Sequence, residues 1–124
     1  MSDATTTLGA LKELVRQFAA ERAWEPFHSP KNLAMGLAVE AAEVMEHFLW
    51  VDNDASREVV HDPARLAAVA DELADVANYL LNFSNVLGID LSEAIRAKIV
   101  KNALKYPADQ YRGRWGSGGE RGTT

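Results

Sequence analysis

The chain of 124 residues contains no cysteine, which excludes a disulfide scaffold and any zinc site built on thiolates. No uncharged apolar run reaches about 18 residues, so no segment reads as a membrane-spanning helix. Alternating strand patterns of useful length and internal repeats are missing too. Residues Met1 to Thr7 are polar and lack the apolar stretch of a secretory leader, so the expectation is a cytoplasmic protein. With 48% hydrophobic and 25% charged residues, the composition is too apolar for disorder. It fits one domain over residues 1–107, followed by a tail over 108–124 whose Gly/Ser/Thr-rich end, Gly116 to Thr124, is expected to be mobile.

Local absences of charge say more. From Leu33 to Trp50 there is no Lys or Arg, yet Glu40, Glu43 and Glu46 are present. From Leu66 to Leu87 cations are again missing, beside Asp71, Glu72 and Asp75. Between Arg96 and Arg114 this reverses: Arg96, Lys98, Lys101, Lys105, Arg112 and Arg114 face only Asp109. A net charge of −5 argues against general nucleic-acid binding. The division into an acidic middle and a basic end suits a ligand that is itself anionic and carries a cation.

Four helices account for most of the chain, predicting an all-α antiparallel bundle. The first runs from about Thr7 to Arg22 on Leu8, Leu11, Val15, Phe18 and Ala19. After a break over Arg22 to His28, Ser29-Pro30 supplies a cap and a first-turn proline for a second helix reaching about Trp50. Val51 to His61 reads as a loop or a short irregular turn. Asp62-Pro63 then opens a third helix that stops at Gly88. Asp90 and Glu93 resemble a capping arrangement for the fourth, which ends before Pro107. Val39, Met45, Leu73 and Val76 are expected in the core.

On a helical wheel Glu40 and Glu43 lie about 60° apart, and so do Glu72 and Asp75. Asn32, Gly36, His47 and Trp50 share the side of the first pair; Tyr79, Asn78 and Asn82 share that of the second. If the two helices pack antiparallel, four carboxylates converge, with no Lys or Arg in the acid-bearing stretches of either helix to balance them. Such a cluster raises its own pKa values or takes a counter-ion. Oxygen donors without His or Cys suit Mg²⁺, with Mn²⁺ as a substitute, rather than Zn²⁺. The other reading of the same residues is a solvated polar face.

The two acid pairs, Glu40-Ala-Ala-Glu43 and Glu72-Leu-Ala-Asp75, together resemble the MazG-type all-α nucleoside triphosphate pyrophosphohydrolases. The flanking segments Glu21 to Leu33 (with Trp24, Phe27, His28, Pro30 and Asn32), Phe48-Leu-Trp50 and Lys98 to Pro107 look most like the branch that includes dCTP pyrophosphatase. The likeness spans about Leu11 to Pro107. The family often has two adjacent Glu in the first motif; here Ala41 and Ala42 follow Glu40, as suits that branch.

The resemblance implies hydrolysis of a nucleoside triphosphate, dCTP or a modified pyrimidine relative, to monophosphate and pyrophosphate. It implies Glu40, Glu43, Glu72 and Asp75 as catalytic Mg²⁺ ligands. Lys98, Lys101, Asn102 and Lys105 become candidates for holding phosphates, joined by Lys31. Trp24 and Trp50 offer planes for a base, and His28 and Asn32 offer hydrogen bonds to base or sugar. Tyr79 could pack against a deoxyribose, where a 2′-hydroxyl would be crowded. A homo-oligomer, a tetramer built as a dimer of dimers, is also implied. The alternatives are the same chemistry on dUTP, purine or oxidised nucleotides, a non-catalytic helical assembly module, and, more weakly, a di-iron bundle, which would want Glu-x-x-His on two helices.

Overall fold

Each long helix begins where a short polar side chain catches the free amides of the first turn. In the computed structural model, which describes residues 1–115 and 120–121, Thr7 Oγ1 accepts from the Ala10 amide at 3.1 Å and opens α1, Leu8–Glu21. Ser29 Oγ accepts from Asn32 and opens α2, Pro30–Glu46. Asp52 caps a short α3, Asn53–Arg57, and Asp62 caps α4, Pro63–Leu87. Asp90 caps α5, Leu91–Lys105, through the Glu93 amide, and α6 covers Ala108–Tyr111. The prolines at the starts of α2 and α4 fit because the first turn has no use for their missing N–H.

The all-α expectation holds apart from a two-residue antiparallel ladder, Arg114–Trp115 with Glu120–Arg121. Three local expectations change. The second helix ends at Glu46, and His47 to Trp50 form turns; the chain leaves the helix there without Gly or Pro to mark it. The segment expected as a loop holds α3 and a 3-10 turn over Glu58–His61, because Asp52 supplies a cap the loop reading overlooked. A 3-10 turn over Glu25–Phe27 fills the first break. Residues 116–119 and 122–124 of the tail expected to be mobile lie outside the described residues. Among the described residues no helix is long and apolar enough to cross a membrane.

The chain divides into two units, Met1–Ile89 and Asp90–Thr124. In the first, α4 lies antiparallel to both α2 and α1, and Leu33, Ala19, Val59, Val69 and Leu81 are its buried apolar residues. Asn85 Nδ2 of α4 donates to the Lys12 carbonyl of α1, and Lys12 Nζ donates to the Ile89 carbonyl just beyond α4. Val39 (57% exposed), Met45 (55%) and Leu73 (54%) were expected in the core and instead face outward, while Val76 is half-buried. The reason is that α2 and α4 meet through their acid-bearing sides. Gly36 has no side chain, and the Tyr79 ring occupies the space a Cβ would need. In the second unit, Tyr106 and Tyr111 pack edge to face at 5.1 Å beside Lys105.

Two helices end the same way. At α4, Gly88 (φ 65°) turns the chain left-handed and Ile89 N–H bonds back to the Ser84 carbonyl. At α1 the left-handed residue is Ala23 (φ 52°), with Trp24 N–H bonded to the Ala19 carbonyl at 3.0 Å. Ala at such a position carries strain that Gly would not. The turn aims Trp24 back along α1, where its ring meets Phe18. Ala23→Gly should therefore stabilise the protein by about 0.5–1 kcal/mol, despite the greater freedom of Gly when unfolded. A lower midpoint in urea would contradict this account.

Candidate metal centre and adjoining cavity

Antiparallel packing of α2 on α4 sets Glu40 and Glu43 opposite Glu72 and Asp75. One carboxylate oxygen from each of the four lies within 4.8 Å of the others. Glu40, Glu43 and Glu72 are half-buried and Asp75 is exposed. Glu40 Oε2 and Glu72 Oε2 are buried with no hydrogen-bond partner. An orphaned buried acceptor is costly, and an anionic one more so.

The electrostatics follow from this crowding. Burial pushes the Glu40 carboxyl above the usual carboxylate range, and the charges of Glu43, Asp75 and Glu72 push the same way. Glu72 is also raised, first by the hydrogen bond that Glu43 can make once a proton is shared, then by burial and by the charges of Glu43 and Asp75. Fully ionised carboxylates have no donor to offer one another, so that bond needs a bound proton. His47, with Nε2 3.8 Å from Glu72 Oε1, pulls Glu72 in the opposite direction. Arg65, in the first turn of α4, gives its Nη2 to the His47 carbonyl at 3.3 Å.

A pH dependence follows. Both glutamates bind a proton more tightly folded than unfolded, so their contribution to stability is full below the ordinary carboxylate pKa of about 4.3. It is lost as pH rises through their raised values. In EDTA, melting should move to lower temperature as pH rises above the ordinary carboxylate value, and millimolar Mg²⁺ should flatten that slope. An EDTA profile rising across this range in wild type, and equally in Glu40→Gln, would contradict the crowding argument.

A cavity of about 440 Å³ adjoins the cluster at Asp75. Leu14, Val15, Phe18 and Ala19 of α1, Trp24 and His28 after it, and Asn78, Tyr79 and Asn82 of α4 complete its wall. Phe18 and Trp24 meet edge on at 5.7 Å, and Trp24 and His28 at 6.3 Å. Asn82, itself buried, hydrogen-bonds His28 Nδ1 at 2.8 Å. With the amide nitrogen donating, His28 Nδ1 accepts and the ring carries its proton on Nε2. The cavity thus has apolar and aromatic walls, a few fixed polar groups and an acidic mouth, as small-molecule sites do.

The predicted site residues divide accordingly. Trp24, His28 and Tyr79 line the cavity. Asn32 is spent locally: its Nδ2 donates to the Phe27 carbonyl at 2.9 Å, tying the 3-10 turn to α2. Lys31 is exposed at the start of α2. Trp50 is 93% exposed and is not among the cavity residues. The wheel that put it with the acids fails because the helix stops at Glu46. Lys98, Lys101, Asn102 and Lys105 are exposed on α5, in the second unit. Sequence reasoning did not place Phe18, Asn78 or Asn82 in the site. Asn82 was legible only as a helical Asn on the acidic side; its partner His28 is 54 residues away.

The chain matches the MazG-like family over residues 36–119. It is 36% identical over 107 residues to dCTP pyrophosphatase 1 of Bos taurus, covering 86% of this chain and 63% of that protein. To dCTP pyrophosphatase 1 of Homo sapiens it is 37% identical over 102 residues, covering 82% and 60%. It therefore spans less than two thirds of the length of these curated relatives. A crystal structure of a pyrophosphatase from Archaeoglobus fulgidus superposes with a TM-score of 0.76 at 36% identity, covering 86% of this chain and 98% of that one.

Proposed function

The chain belongs to the MazG-like family, and from that premise we propose that it is a Mg²⁺-dependent nucleotide pyrophosphohydrolase. Its substrate in this reading is dCTP or a modified pyrimidine relative, its products the monophosphate and pyrophosphate. The observation that carries it is the carboxylate cluster, four acids with two orphaned buried oxygens, opening at Asp75 into the cavity. The donor set fits a hard divalent ion: all oxygen, negatively charged, and without an internal cation to neutralise it.

Glu40, Glu43, Glu72 and Asp75 would hold the ion, which when bound neutralises phosphate charge and lowers the pKa of a coordinated water. The chain's own groups do the rest by positioning. Trp24 offers its ring to the base, and His28, held by Asn82, presents Nε2–H as a hydrogen-bond donor. Tyr79 packs against the sugar. Asp75, shared by cavity and cluster, sets the direction in which the phosphate chain leaves the base. Lys31, Lys98, Lys101, Asn102 and Lys105 keep their proposed role on phosphates from the motif alone.

A triphosphate panel with pyrophosphate detection, run with Mg²⁺, with Mn²⁺ and in EDTA, tests this. Pyrophosphate from dCTP only with metal is expected. Orthophosphate release, or undiminished turnover in EDTA, would overturn it. Preference for dUTP, a purine or an oxidised nucleotide would keep the chemistry and move the specificity. No turnover and no thermal stabilisation by Mg²⁺ with a nonhydrolysable nucleotide would leave the assembly module.

Met35, Val39, Met45, Leu49 and Leu73 are each half exposed or more, so α2, its end and α4 present apolar side chains outward. We assign these side chains to self-association: a homo-oligomer, a tetramer built as a dimer of dimers, within which the four-helix bundle is completed. A strict monomer by light scattering would contradict this.

A further inference from the structure

We propose that His47 is a positioning residue of the carboxylate cluster, engaging one oxygen of Glu72 so that the other is turned inward; the proposal rests on the metal-site reading above. His47 follows directly on α2, one turn beyond Glu43 and two beyond Glu40, and so extends the row that carries both acids. Its Nε2 lies 3.8 Å from Glu72 Oε1, a close polar approach just beyond direct hydrogen-bond length. The two side chains are only 28% and 25% exposed. The other oxygen of the same carboxylate, Oε2, is the buried one without a partner. The two oxygens of Glu72 are thereby given different surroundings, one facing an imidazole and one enclosed and unsatisfied.

Without such a contact Glu72 has reason to leave. Glu43 and Asp75 repel it, and its terminal torsion is soft, so the carboxylate can swing its charge towards water. The imidazole opposes that swing, and its own backbone is held from the facing helix. Arg65 donates to the His47 carbonyl, and Arg65 stands two turns before Glu72 on the same face of α4. The helix that carries the ligand thus also fixes the residue that orients it. Groups that orient a metal-binding carboxylate from behind commonly change affinity by about 10- to 100-fold when removed.

The test is Mn²⁺ binding to the full chain, read from the free-ion EPR signal without nucleotide. Wild type, His47→Ala, His47→Phe, His47→Gln and Glu72→Gln are compared, with melting curves in EDTA alongside. Affinity about tenfold weaker in His47→Ala and in His47→Phe is expected. His47→Phe keeps the bulk of the ring, so it replaces His47→Ala should that variant not fold. His47→Gln, which restores an N–H donor, should recover most of the loss. Wild-type affinity in His47→Phe, or His47→Gln as weak as His47→Phe, overturns the positioning role while the metal site stands. Wild type that binds no Mn²⁺, or binds it no better than Glu72→Gln, overturns the metal reading and this proposal with it.

Discussion

Glu40→Gln should melt at a higher temperature than wild type in EDTA and turn over triphosphate about 10²- to 10³-fold more slowly with Mg²⁺. The two effects have one cause. In the metal-free protein Glu40 Oε2 is buried without a partner, and burial with three neighbouring acids works against its ionised form. A glutamine keeps the shape, removes the charge and adds an N–H donor among surplus acceptors. Stability therefore rises, and the pH slope of melting in EDTA becomes shallower. With metal the same exchange removes a charged donor from the site where charge balance matters most. Saturating Mg²⁺ should then stabilise wild type by more than it stabilises Glu40→Gln, reversing or closing the gap seen in EDTA. Scanning calorimetry in both buffers, with a pyrophosphate-release assay, reads all three effects. A Glu40→Gln protein less stable than wild type in EDTA would mean that the cluster is a satisfied polar seam and no strained ion site.

What the chain discloses in advance depends on the range over which each signal acts. Helix starts are set within three or four residues, and Ser29, Asp62 and Asp90 were readable as caps because the amide each one binds lies in the next turn. The acid pairs were readable for a similar reason: spacing on one helix fixes which side chains share a side. Spacing does not say which side meets the partner helix. Val39, Met45 and Leu73 are apolar residues that look like core, yet α2 approaches α4 through Gly36 and Tyr79, and all three are left outside. Helix ends without Gly or Pro are also obscure. The stop at Glu46 moved Trp50 off the acidic row and left His47 at its end. The His28–Asn82 pair depends on three helices being in place, and no local pattern announces it.

Gly36 is where the close approach of the two acidic helices can be tested by a single methyl group. A Cβ on Gly36 would lie 2.2 Å from Tyr79 Cε1, 2.7 Å from Cζ and 2.8 Å from Cδ1, well inside van der Waals contact. Two effects of Gly36→Ala compete. Helix propensity favours Ala by about 1 kcal/mol. Overpacking against a ring costs about 1–3 kcal/mol, and more if the helices must part. The clash involves the body of the ring rather than the tip of a flexible chain, so it should win. We expect a net loss of about 1–2 kcal/mol and melting lower by about 5–10 °C. Tyr79 also lines the cavity, so its displacement should raise KM for the triphosphate. The decisive arm is the double variant. In a Tyr79→Ala background the obstacle is gone, and Gly36→Ala should become stabilising by about 0.5–1 kcal/mol through propensity alone. A sign reversal between the two backgrounds locates the contact on the ring. If Gly36→Ala destabilises equally in both, the limit on helix separation lies elsewhere along α2, and the convergence of the four acids has another cause.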